Sequence, residues 1–192
     1  MGLLALLAAQ AAVPSEVYPL QRILDESRDV CALLIEPDSG SDRFVAKGWR
    51  FGTSQQSAWL ADYMRSNRKI GPALKLESFD ALYEKQVAGR NLILYVFGLA
   101  QKGSASKPWG SCEVMDLTAS GVISNADVVR WAGREPAPSL PLGDSVLLRW
   151  VPSLTEGAVD SSVTYSPAGS PLAEMRPGLI YTLVMPSGTS RQ

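Results

Sequence analysis

The sequence predicts one α+β domain: a mostly antiparallel sheet of about five to six strands with helices packed on one side, of the PAS-like or profilin-like kind that offers a concave face. Three observations carry this reading. Apolar residues recur at helical spacing from Leu20 to Leu34, a continuous apolar run stands at Leu92 to Phe97, and strand-like alternation fills the last third from Val146 onward. About 165 residues suffice for one core, and neither an internal repeat nor a shift in composition marks a second domain.

Met1 to Ala12 is an apolar block rich in leucine and alanine that closes on Ala9-Gln10-Ala11. Its length of about 13 residues is short of the roughly 20 that a membrane-crossing helix needs. Small residues at the −3 and −1 positions suit a signal peptidase, so residues 1–11 are expected to be a signal peptide, with Ala12 the mature start and no stable span left after cleavage. No Lys or Arg precedes the apolar core, and a buried N-terminal helix is the competing reading. Residues 12–18 read as a linker, 19–185 as the domain and 186–192 as a fraying tail.

From Pro19, the residues Leu20, Leu24, Cys31 and Leu34 share one helical stripe, which aims the Cys31 sulfur into the core. Asp38-Ser39-Gly40-Ser41-Asp42 is turn chemistry and lacks the spacing of a calcium loop. A second helix is expected from about Ser57, with Leu60, Tyr63 and Met64 on one face. Arg65, Arg68 and Lys69 suit its C-terminal end, and Gly71-Pro72 stops it. Ala73 to Tyr83 reads as a short strand and then a helical turn. Asn91 to Ala100 is a central strand, because an unbroken apolar run is expected where both faces are covered. Ser111 to Leu117 returns beside it as a hairpin partner carrying Cys112. Ser124-Asn125-Ala126-Asp127 matches a capping box ahead of a short helix that Gly133 closes. Pro136, Pro138 and Pro141 stiffen the next connection. Strands at Val146 to Val151, Ser162 to Tyr165 and Leu179 to Met185 complete a meander.

Composition limits the chemistry. With 18 basic and 19 acidic side chains, the chain has no charge excess with which to hold nucleic acid. Histidine is absent, which removes imidazole relays and imidazole metal sites. Neither a cofactor nor a metal is implied. Cys31 and Cys112 are an even pair, and in an oxidising compartment an even count means a bond, so one disulfide is expected. Their spacing is far from the C-x-x-C of redox pairs.

Ser104-Ala105-Ser106-Lys107 matches S-x-x-K, but it lies in a Gly/Ser loop without the accompanying S-D-N and K-T-G elements. Glu113 and Asp116 are candidate paired acids, yet three residues apart on a strand they point to opposite faces and read as ordinary exposed acids. Trp49, beside Lys47 and Arg50, and Trp109, beside Lys107, lie in or next to loops and are the better ligand-stacking candidates. Trp131 and Trp150 read as core.

An Ala-rich leader, a helix with an early cysteine, Gly48-Trp49 and a strand-borne Cys112 followed by a helix and a meander make a pattern that resembles small exported proteins of Gram-negative bacteria. The likeness runs loosely over residues 20–185. It implies an envelope location, periplasmic or secreted, and supplies no catalytic residues. The leading expectation is a non-catalytic binding or accessory domain for an envelope ligand or protein partner. The alternatives are a histidine-free hydrolase of an envelope polymer and an inhibitor or immunity-type partner.

Overall fold

The computed structural model describes residues 17–35, 41–53, 57–103, 109–138 and 143–186. The expected signal peptide, most of the linker, the S-x-x-K loop and the expected tail beyond Pro186 lie outside these residues. The chain is α+β and is built on one antiparallel sheet of seven strands, more than the five to six expected. In chain order the elements are α1 (Leu20–Ala32), α2 (Ser41–Ala46), β1 (Arg50–Phe51), α3 (Ala58–Arg68), α4 (Ile70–Ala73), β2 (Glu77–Val87), β3 (Arg90–Ala100), β4 (Trp109–Asp116), α5 (Asn125–Ala132), β5 (Val146–Trp150), β6 (Asp160–Ser166), a 3-10 turn (Pro171–Glu174) and β7 (Gly178–Met185).

The strand order β1-β2-β3-β4-β7-β6-β5 joins two meanders. After β4 the chain crosses one face through α5 to the far edge, and β5, β6 and β7 then step back until β7 pairs with β4 at the centre. Gly178 opens β7 at φ +70, where a Cβ would stand 2.1 Å from the Asp116 carbonyl oxygen. The meeting of β4 and β7 therefore requires glycine on both conformational and steric grounds.

Period-2 geometry sorts the sheet residues onto two faces. Leu92, Leu94, Val96, Cys112, Val114, Tyr181, Leu183, Val163, Leu148 and Trp150 point to one face and are buried against Ile23, Leu24, Val30 and Cys31 of α1 and Val128 of α5. Ile93, Tyr95, Phe97, Met115 and Ile180 point to the other face and meet Leu60 and Met64 of α3. Helices therefore cover both faces, not one. The apolar run in β3 requires this, since alternate side chains would otherwise face water, and each buried aliphatic or aromatic side chain contributes roughly 1.5–3 kcal/mol.

Local signals explain the elements. Ser57 caps α3 by accepting from the Leu60 amide. Ser124 and Asp127 form the full capping box of α5, and Gly133 ends that helix in the left-handed region at φ 65. Two stretches differ from expectation. Ser41 and Asp42, read as turn residues, begin α2. In Ala73–Tyr83, Ala73 ends α4 and the residues from Glu77 onward run in a single eleven-residue strand, β2, with no helical turn after its start. The β2–β3 hairpin closes through Ala88 and Gly89, both at positive φ, which is the primed turn that a right-twisted hairpin favours.

All six tyrosines, Tyr18, Tyr63, Tyr83, Tyr95, Tyr165 and Tyr181, have their ionisation pushed above the ordinary value of 10, in each case chiefly by burial. Tyr95 is pushed up to about 12. The fold favours the neutral phenol, so this contribution is complete below the unfolded value near 10 and is lost as pH rises through the folded values. Alkaline titration followed by phenolate absorbance is expected to stay flat past pH 10 and then rise in one cooperative step coincident with unfolding. A gradual rise around pH 10 with the fold intact would contradict it.

Candidate functional site

Each face of the sheet buries one carboxylate from β4. Asp116, 0% exposed, lies on the α1 face. Its Oδ2 accepts from the Tyr18 hydroxyl at 2.8 Å and from Arg90 Nε at 2.8 Å, and its Oδ1 accepts from the Thr118 amide at 3.0 Å and hydroxyl at 2.8 Å. Glu113, 4% exposed, lies on the α3 face, where it accepts from the Tyr63 hydroxyl at 2.7 Å and from Arg176 Nη2 at 3.2 Å. Burial, with the negative charge of the neighbouring carboxylate second, holds both phenols above their usual range. The two acids are therefore not exposed, as the sequence suggested, but they do point to opposite faces. Neither keeps an oxygen free for general acid or base work, and the sheet separates them.

Cys31 and Cys112 form a disulfide with a Cα separation of 5.6 Å, and both residues are 0% exposed. The bond fastens the last turn of α1 to the middle of β4. Of the two stacking candidates, Trp49 is fully buried: its indole N–H donates to Glu26 Oε1 at 3.0 Å, and the same oxygen accepts from Lys85 Nζ at 2.8 Å. Trp49 is core and presents no open ring face. Trp109 is 40% exposed at the start of β4, opposite Leu99, and stands apart from the groove described next. Arg65 and Arg68, at the end of α3, pair with Asp62 and Asp80.

A groove of about 530 Å³ opens where the start of α1 passes α5, within the volume range of small-molecule sites. Tyr18 and Leu20 form one wall, and Val122, Ile123 and Trp131 form the other, with Arg22 and Arg130 at the sides. The walls are firmly set. Tyr18 is tied to Asp116 and lies under the Arg90 guanidinium, 5.4 Å from the ring centroid. Trp131 donates its indole N–H to Asp25 at 2.9 Å, meets Tyr181 edge-on at 6.2 Å and carries the Arg28 guanidinium 5.4 Å above its ring. Val17 and Val122 stand at the rim, 88% and 93% exposed. Among the described residues the one carboxylate in the lining, Asp127, is occupied by Ser124 and Arg130. Those contacts, led by the Ser124 hydroxyl, hold its ionisation below the usual value.

Sequence reasoning missed this groove, because it read Trp131 as core and ended the linker at Tyr18. The available signal was Val122, an aliphatic residue in a Gly/Ser-flanked loop that stays exposed while its neighbour Ile123 enters the core. Among the described residues, no cluster of three or more His, Cys, Asp or Glu side chains is placed to hold a metal, and no helix is long and apolar enough to cross a membrane. No family model, curated protein or solved structure matches the chain.

Proposed function

We propose that the chain is an exported domain that binds a ligand or partner in the envelope through the α1–α5 groove, and that it does not catalyse a reaction. The observation that carries the reading is the contrast between its polar and its open surfaces. The two acids buried in β4 are closed off by Arg, Tyr or Thr, whereas the groove offers aromatic and aliphatic walls with arginines and, among the described residues, no converging acids. The buried disulfide supports export, since such bonds persist where thiols are oxidised. The leader at residues 1–11 and the likeness to small exported proteins of Gram-negative bacteria fit the same location.

Two measurements test it. Expression of the full chain in a Gram-negative host, followed by intact mass of the periplasmic fraction, is expected to give a chain that begins at or near Ala12 with both sulfurs bonded. A chain that keeps Met1 and two free thiols in the cytosol overturns export. For binding, the immobilised mature chain is expected to retain an envelope component that Val122→Asp does not. The side chain of Val122 is almost fully exposed, so the substitution leaves the core intact. Equal retention by both, or none by either, overturns the groove as the binding site.

A further inference from the structure

The lining of the groove narrows what it takes. Arg130 is neutralised by Asp127, its Nη1 standing 2.9 Å from Oδ1. Arg22 lines the same space, is exposed, and makes no ion pair among the described residues. Among the described residues no other charged side chain lines the groove, so this described lining carries one net positive charge beside apolar walls. Two β-branched side chains at the rim, Val17 and Val122, extend that apolar surface outward. Resting on the reading of the groove as a binding site, we propose that its ligand is a small amphipathic carboxylate. Its hydrocarbon body lies against Trp131, Ile123, Val122 and Leu20, and its head group is held by the Arg22 guanidinium.

The physical grounds are complementary. A hydrocarbon chain placed between rim valines and a preset indole face removes apolar surface from water on both partners. A guanidinium presents a planar fork that matches a carboxylate with two parallel hydrogen bonds, which a neutral alcohol cannot reproduce and an ammonium opposes. The volume of about 530 Å³ admits a chain of several carbons together with its head group. Because the Tyr18 and Trp131 rings are held by part-buried hydrogen bonds, little ordering accompanies binding.

The test compares three probes with the same eight-carbon tail and different heads: octanoate, 1-octanol and octyltrimethylammonium. Binding to the disulfide-bonded mature chain is followed by NMR at the Trp131 indole N–H and the Val17 and Val122 methyls. Octanoate is expected to shift these signals with an affinity at least about tenfold above that of octanol, the worth of one charged hydrogen bond. In Arg22→Gln, which sits on an exposed helical position, the preference for octanoate over octanol is expected to vanish while octanol binding persists. Equal affinities for octanoate and octanol overturn the carboxylate assignment and leave the groove standing as a binding site. Tighter binding of octyltrimethylammonium overturns it by sign. No shift with any probe also overturns it, and the wider reading is then decided separately by the Val122→Asp retention experiment.

Discussion

Removing the disulfide with the double substitution Cys31→Ala and Cys112→Ala is expected to lower the unfolding free energy by about 4.5 kcal/mol, the chain-entropy value for a closed loop with a sequence separation of 81. For a chain of this size, that corresponds to a fall in Tm of roughly 10–18 °C. Alanine is the appropriate replacement because both positions are fully buried, and serine would add an unsatisfied hydroxyl to the loss. The slope of the urea transition should rise, since the unbridged chain exposes more surface when it unfolds. Reductant added to the native protein should act slowly, because neither sulfur is reachable until α1 lifts from β4. A loss of less than about 1 kcal/mol would show that the helix–sheet contacts fix α1 without the bond. A loss of the expected size ties folding to an oxidising compartment, since a typical domain has only about 5–15 kcal/mol in all.

The residues explain which parts of this fold were legible. Where order is local, the reading succeeds: the Ser124–Asp127 box and Gly133 delimit α5 because each partner lies within one turn of the other. The alternation in β5 and the unbroken run in β3 likewise report how many faces are covered. That run already implied helices on both faces, so placing them on one side contradicted a signal present in the sequence. β2 was obscured because its residues alternate weakly, with Glu84, Lys85 and Gln86 near its end, and because its hairpin turn is Ala-Gly where Asn-Gly would announce it.

The site residues were harder to read, for a different reason. Trp49 lies just before the two-residue strand β1, with Lys47 and Arg50 close by in sequence, and nothing local shows that Glu26, in α1, will accept its N–H. Glu113 and Asp116 read as surface acids because the groups that neutralise them come from Tyr63, Arg176, Tyr18 and Arg90, dispersed along the chain. Burial of a carboxylate depends on partners brought in by topology, and no spacing rule encodes it. The groove is a product of the same topology, formed where a linker and a crossover loop meet.

Asp116 is where the largest polar effect is expected. Asp116→Ala should cost about 3–5 kcal/mol, because it removes the fully buried acceptor shared by Tyr18, Arg90 and Thr118 and leaves a half-buried phenol and a half-buried guanidinium without it. Asp116→Asn keeps the shape, but it turns an NH2 group toward donors and removes the charge that Arg90 faces, so it should recover only a small part of the loss. A double-mutant cycle with Arg90→Met separates the pair from the rest: a coupling above about 1 kcal/mol is expected for a pair with one fully buried member. The damage should also have a direction. Tyr18 hangs from Asp116 and forms a wall of the groove, so hydrogen exchange at the start of α1 should accelerate more than exchange in α3, on the other face. A ΔΔG under 1 kcal/mol, or equal acceleration in α1 and α3, would mean that the carboxylate neither holds the sheet centre nor sets the groove.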